Sequence, residues 1–337
     1  MTGFAPDVAT PPPYAPPADA VLLPWRRLAH PVDWAAAFGR RAPLHLEVGF
    51  GDGRFTARRA LAEPDADFVG LEVSGTSVLR AWRRMRRDGV RNVRLLKAPA
   101  EVAVRQLFGP NGLASITVNF PDPWPKDRHE HHRLLRAPFF RLAATRLVPG
   151  GEIRLASDHE PYVAFAVAEA ERSGVARGER REPPPEVLET KYALKWRGQG
   201  KPLFYEVFVL DGTDVPYDPP IGRSDRMPHA LLTGVLPTEA PAFEKLVVAA
   251  EGGHVVVHEA ARALGRDDRW LFRVTLDEGE LIQQLLVVAQ RRAEGELIVR
   301  LESFGDPLVT PAARAAVAAV TDWLEGSVGL RVAARNY

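Results

Sequence analysis

The stretch LHLEVGFGDGRF, Leu44 to Phe55, changes character halfway along. LHLEV alternates as a strand does, and GRFTARRALA runs on as a helix. Between them Gly49, Gly51 and Gly53 stand at alternate positions. Glycine there lets the backbone turn tightly and approach a ligand closely. A purely structural turn between strand and helix has the same look, and the spacing departs from the G-x-G-x-x-G of dinucleotide folds. Two acids narrow the choice. Glu47 stands beside the loop, and Glu72 ends the next strand, 19 positions beyond Gly53, where a carboxylate can accept from vicinal ribose hydroxyls. A carboxylate beside the glycines repels a pyrophosphate and suits a ligand carrying an ammonium or sulfonium. That points away from NAD and towards S-adenosylmethionine.

Outward from this turn, strand patterns recur at 44–48, 67–72, 92–96, 115–119, 152–157, about 175–182 and 203–210. Helical patterns lie between them at 54–62, 75–88, about 100–108, 131–147 and 161–173. Such alternation predicts an α/β fold with a Rossmann-like, mostly parallel sheet of seven strands. Residues 1–24 are rich in Pro and Ala and read as a disordered tail, which leaves 25–213 for the sheet domain. Prolines without periodicity mark 214–228 as a linker. Beyond it, 229–337 holds further strand patterns, an alanine-rich helix at 310–325 and a last strand, a smaller α+β domain.

The chain has 337 residues, 46% of them hydrophobic and 26% charged, enough for two packed cores. It has no cysteine, which excludes disulfides and thiolate metal sites and suits a reducing cytoplasm. With no apolar run of membrane-spanning length, no membrane partner is expected. Charge is uneven: residues 1–218 carry a net +4 and residues 219–337 a net −3. Cations cluster in RAWRRMRRDGVRNVRLLK (80–97), as a polyanionic partner requires. In that helix Val78, Ala81, Trp82 and Met85 share an apolar face, and Arg80, Arg83, Arg84 and Arg87 line the other.

A second unusual string, FPDPWPKDRHEHHR, follows the fourth strand at 120–133. Prolines at alternate positions fix φ and remove backbone donors, so this is a stiff, extended loop carrying one early carboxylate and many cations. FPDPWPK resembles the signature of the bacterial tRNA (guanine-N7-)-methyltransferase family, which methylates a guanine in the tRNA variable loop. The resemblance spans roughly 43–210, through LEVGFGDG, FVGLE, FPDPWPKDRH, SDHEPY and ETKY. It implies S-adenosylmethionine as methyl donor with no metal, and tRNA as partner. It further implies cofactor contacts at Glu47, Gly49, Gly51, Glu72, Pro99 and Asp122, with Asp122 as the catalytic carboxylate. Lys126, Asp158 and Thr190 would contact the substrate nucleoside.

The chain departs from the family pattern at four places. Pro99 stands where Asp or Asn is common, and Asp127, His131 and His132 interrupt a run usually richer in Lys and Arg. His159 replaces a Trp, and Ala193 replaces a glutamate expected three positions after Thr190.

Structural readings accompany the functional ones. Asp122 can cap a turn between prolines, Trp124 can plug a core, and Asp158 and Glu160 can cap the helix that follows, with Ser157 and Glu160 in capping-box spacing. His129, His131 and His132 lack other metal ligands at suitable spacing and read as a polar, RNA-facing loop. Two other classes fit parts of the pattern: an RNA-binding protein that keeps the fold without catalysis, and a nicotinamide oxidoreductase.

Overall fold

The computed structural model describes residues 14–337 except 18, 212–214, 225, 240, 267 and 293–294. The chain divides into two compact units, Tyr14–Pro220 and Ile221–Tyr337. In the first unit the strands are β1 (Leu22–Leu23), β2 (Leu44–Val48), β3 (Asp67–Glu72), β4 (Val93–Lys97), β5 (Leu113–Asn119), β6 (Leu147–Ser157), β7 (Ala176–Arg180) and β8 (Phe204–Leu210). The helices are α1 (Trp34–Phe38), α2 (Arg54–Ala62), α3 (Gly75–Arg87), α4 (Ala100–Leu107), α5 (Ala137–Ala144), α6 (Glu160–Ser173), α7 (Pro185–Leu188) and α8 (Lys191–Arg197).

These strands form one sheet in the order β1-β4-β3-β2-β5-β6-β8-β7. The β1–β4, β4–β3, β3–β2, β2–β5 and β5–β6 pairs are parallel, and β8 runs antiparallel to both β6 and β7. The seven strands expected are present, and β1 adds an eighth at the edge. That edge corrects the reading of the Pro-rich tail. Residues 1–13 lie outside the described residues, but Leu22 and Leu23 pair with Leu95 and Leu96, and Leu23 is buried. The short VLL run after the prolines is apolar enough to add to the sheet.

A parallel sheet covered on both faces needs near-continuous apolar strands. Val69, Leu71, Val93, Leu95, Leu96, Ile116, Ile153 and Leu155 are accordingly buried. The strand order reverses between β2 and β5, one connection leading to β3 and the other arriving from α4. In such sheets ligands bind outside the carboxyl ends of the strands at that switch point.

The helix expected over 131–147 is shorter than its pattern. Asp127–His132 forms a 3₁₀ turn, Arg133 and Arg136 are extended, and α5 starts only at Ala137, with Pro138 in its first turn. The segment expected as a linker is held at both ends. The Arg146 guanidinium lies 4.4 Å from the Tyr217 ring centroid and Asp218 pairs with Arg105, whereas the Ser224 amide donates to Val309 O (2.8 Å).

The second unit is an antiparallel sheet of β9 (His229–Thr233), β10 (Leu246–Ala250), β11 (Gly253–Arg262), β12 (Arg269–Glu278), β13 (Leu281–Arg291), β14 (Leu297–Leu301) and β15 (Arg331–Asn336), ordered β10-β11-β12-β13-β14-β9-β15. Helix α9 (Pro311–Val328) packs Ala313, Ala316, Val317, Val320 and Leu324 into one core with Val255, Phe272, Val274 and Val287. Thr310 caps its start, and Gly329, left-handed at φ 78°, ends it. No helix among the described residues is long and apolar enough to cross a membrane.

Candidate active site

The glycine turn leaves β2 at the switch point. Gly49, Gly51 and Gly53 all have positive φ (74°, 55° and 73°), which L side chains rarely adopt. Their surroundings differ. A Cβ at Gly49 or Gly51 would meet nothing within 4 Å, so the space beside them is open. A Cβ at Gly53 would fall 2.7 Å from Ala81 Cβ, so the third glycine lets α2 and α3 approach. The turn is pinned from α3: Arg84 Nε donates to Asp52 O (3.0 Å), and its Nη2 lies 3.3 Å from Asp52 Oδ2. Arg84 therefore faces the loop rather than solvent, a correction to its place among the outward cations. Arg80 and Arg83 are exposed, and Arg87 pairs with Asp88 (2.7 Å).

Glu72 closes the turn from the neighbouring strand. Its Oε2 accepts from the Gly51 amide (3.0 Å), and its Oε1 accepts from the Val73 and Ser74 amides (2.9 Å each). A carboxylate offers about four lone-pair sites, so Glu72 is oriented and still has acceptor capacity for a hydroxyl.

Glu47 is buried, at 6% exposure. Thr56 Oγ1 donates to its Oε2 and Asn119 Nδ2 to its Oε1 (3.3 Å). Burial pushes its carboxyl up to about 7, against the pull of Thr56, Asn119 and Arg59. Beside it, Asn119 Oδ1 and Thr117 Oγ1 are buried and have no partner among the described residues. An unpaired acceptor next to a carboxyl that resists ionisation is a place for a cationic donor. The ammonium of an amino-acid ligand answers both needs, and S-adenosylmethionine carries one.

Across the switch point β5 runs into the proline loop. The Phe120 amide makes a last rung to Ala156 O (2.8 Å). Phe120 and Trp124 then take positive φ (50° and 42°), strained for bulky residues at about 1–3 kcal/mol each. Asp122 lies between them, exposed, and no described residue donates to it, so the turn-cap reading finds no support. Lys126 and Arg128 are exposed. Trp124 is half-buried against His132 and His129, with ring centroids at 4.8 and 5.8 Å.

The residue that holds this loop is Arg133, which in sequence belongs to the RNA-facing cluster. Its side chain is 6% exposed, and it donates to Pro123 O (3.0 Å) and Trp124 O (3.1 Å). No sequence signal separates it from its exposed neighbours.

Asp158 follows β6 and pairs with Lys201 (3.2 Å). The cap of α6 is neither Asp158 nor Glu160 but His159, whose Nδ1 accepts from the Tyr162 amide (3.1 Å). Thr190 is buried as the cap of α8: its Oγ1 accepts from the Ala193 amide (3.2 Å) and donates to Val187 O (2.9 Å). Ala193 is fully buried. Glu189, just before Thr190, pairs with Arg58 on α2, which ties this segment to the helix after the glycine turn. Pro99 is exposed at the N-cap of α4, whose first amides have no side-chain cap. Gly49, Gly51, Glu72, Pro99, Asp122 and Asp158 thus all leave the carboxyl ends of neighbouring strands. Tyr192, unremarked in the sequence, is exposed with its ring 6.1 Å from Phe120.

A sheet of this order, with an acid–glycine turn and a ribose-type acid at its switch point, defines a Rossmann-like methyltransferase. A family described as putative methyltransferases matches residues 41–205. The tRNA (guanine-N(7)-)-methyltransferase of Thermus thermophilus is 45% identical over 93% of this chain and 98% of its own length. That of Deinococcus radiodurans is 45% identical over 88% and 92%, and that of Thermotoga maritima 32% over 84% and 89%. The chain belongs to the tRNA (guanine-N7-)-methyltransferase family. Matches of this length exceed either unit alone and so run through both. The binding-only and oxidoreductase alternatives fall with this membership.

Proposed function

We propose that this protein transfers a methyl group from S-adenosylmethionine to N7 of a guanine in the variable loop of tRNA. The observation that carries this reading is the Asp122 carboxylate, to which no described residue bonds, held by a strained proline loop across the switch point from the acid–glycine turn. Bound there, S-adenosylmethionine supplies an electrophilic methyl group. Glu72 orients the ribose, Gly49 and Gly51 leave room for the ligand, and Glu47 with Asn119 meets its ammonium.

Guanine N7 carries an in-plane lone pair and no proton, so no general base is required. Methylation leaves positive charge on the purine, and a fixed carboxylate stabilises that charge as it develops. Asp122 is that carboxylate. Lys126, Asp158 and Thr190 border the incoming nucleoside, with Asp158 exchanging its Lys201 partner and Thr190 acting by shaping the start of α8. Extracting a base from folded tRNA costs roughly a few kcal/mol, which binding of the phosphates offsets.

Incubation with labelled S-adenosylmethionine and unmodified tRNA should place label on one variable-loop guanine. The same tRNA with 7-deazaguanine at that position should take up none. Label on another atom or base would overturn the reading.

The exposed arginines of α3 give a separate test. Arg80→Gln with Arg83→Gln should weaken tRNA binding and reduce the slope of log affinity against log salt by about one for each phosphate left without its arginine. Cofactor affinity should not change. Arg84→Gln should do the reverse, loosening the glycine turn and weakening S-adenosylmethionine binding with the salt slope kept. Identical behaviour of the two variants would show that Arg84 is an ordinary surface cation.

A further inference from the structure

We propose that Arg133 is a positioning residue for methyl transfer, acting through the loop that carries Asp122 and not through RNA phosphate. The inference rests on the role of Asp122 given above.

A loop with prolines at 121, 123 and 125 has lost three backbone donors, so its carbonyls cannot be satisfied by a ladder of its own. Arg133 supplies the missing donors from outside. Nε and Nη2 form one edge of the planar guanidinium, and that edge meets two successive carbonyls, Pro123 O at 3.0 Å and Trp124 O at 3.1 Å. Such a fork fixes the orientation of both peptide planes in a way that a single ammonium does not.

The guanidinium is itself fixed on its other sides. Nη1 pairs with Glu130 Oε1 (2.7 Å), and the carbon of the group lies 4.5 Å from the centroid of Phe165 and 6.0 Å from that of Tyr162. With its side chain 6% exposed, Arg133 cannot reach a phosphate without leaving this site. Trp124 needs such restraint, because a left-handed tryptophan persists only where its surroundings over-determine it. Asp122 immediately precedes Pro123, whose carbonyl is the first of the two that Arg133 clamps. No described residue bonds to its carboxylate, so its aim depends on the backbone that Arg133 holds.

The test is steady-state kinetics on full-length Arg133→Met and Arg133→Lys. Both should lower kcat at saturating substrates, by about 10- to 100-fold for Met, since small misplacements at a reacting centre have effects of that size. Lys should retain more, because its ammonium still donates to a carbonyl although it lacks the planar edge that meets both. The KM for tRNA and the salt slope of its binding should stay as in the parent. In an Asp122→Asn background, either substitution should cause little further loss, because residues acting as one unit are not additive.

A flattened salt slope, or losses that simply multiply in the double variant, would overturn the proposal and make Arg133 a phosphate ligand or an independent group. Should Arg133→Met not fold, the Lys variant carries the same comparison. If Asp122→Asn alone retains full turnover, the reading of Asp122 fails. If Asp122→Asn is slow while both Arg133 variants are fast, only the present inference fails.

Discussion

Asp122→Asn should lower turnover by about two to three orders of magnitude at saturating S-adenosylmethionine, the usual consequence of removing one preorganised electrostatic group. The melting temperature should scarcely move, because no described residue bonds to the carboxylate and the loop's shape comes from its prolines and Arg133. An amide keeps much of the hydrogen-bonding capacity of the acid and loses its charge, so the drop in turnover reports the charge opposite the forming guaninium. Saturation matters, since on the proposed reading Asp122 faces the glycine turn across the switch point and its charge would also favour a sulfonium. Wild-type turnover in this variant would reduce the carboxylate to a bystander.

Glu47→Gln should raise the stability of the ligand-free protein at pH 8 and weaken S-adenosylmethionine binding by about one to two orders of magnitude, the worth of a charged hydrogen bond. The folded protein holds this carboxyl near 7, above its ordinary 4.5. A group raised in this way contributes stability fully below about pH 4.5 and loses it as pH rises through about 7. The ionised form then burdens the empty fold at pH 8, by an amount on the order of 3 kcal/mol.

A cationic ligand reverses the preference, so affinity should climb with pH up to about 7 in the parent and stay flat in Glu47→Gln. Thermal melts and calorimetric titrations at pH 5.5 and 8 measure both effects. A pH-independent affinity in the parent would separate Glu47 from the ligand's ammonium.

The parallel strands were legible from apolar runs such as the FVGL of DFVGLE and the alternation of LHLEV, each ended by glycine or acid at the ligand edge. The second unit was less so. HALLT at 229–233 becomes β9 between β14 and β15, yet it is short and follows a proline-rich stretch, and Leu246–Ala250 has a half-exposed pattern that marks an edge.

Within the site, the residues carried by strand ends could be placed from order alone. Their partners could not. Arg84 and Arg133 look like surface cations in one dimension, and only the fold turns one onto Asp52 and the other onto Pro123 and Trp124. Thr190 and His159 show the same limit: their atoms cap helices whose start points depend on tertiary packing.

The close approach at Gly53 restricts how this enzyme can be altered or can diverge. Ala81 sits where any side chain on residue 53 would go, and Arg84 grips the residue before it. The turn at 49–54 is therefore not a portable cassette. Transplanted alone into a relative with a larger residue at the position of Ala81, it would not seat, and a chimaera must take the inner face of α3 with it. Among descendants, positions 53, 81, 52 and 84 should change together or stay put, so this stretch drifts as a block rather than letter by letter.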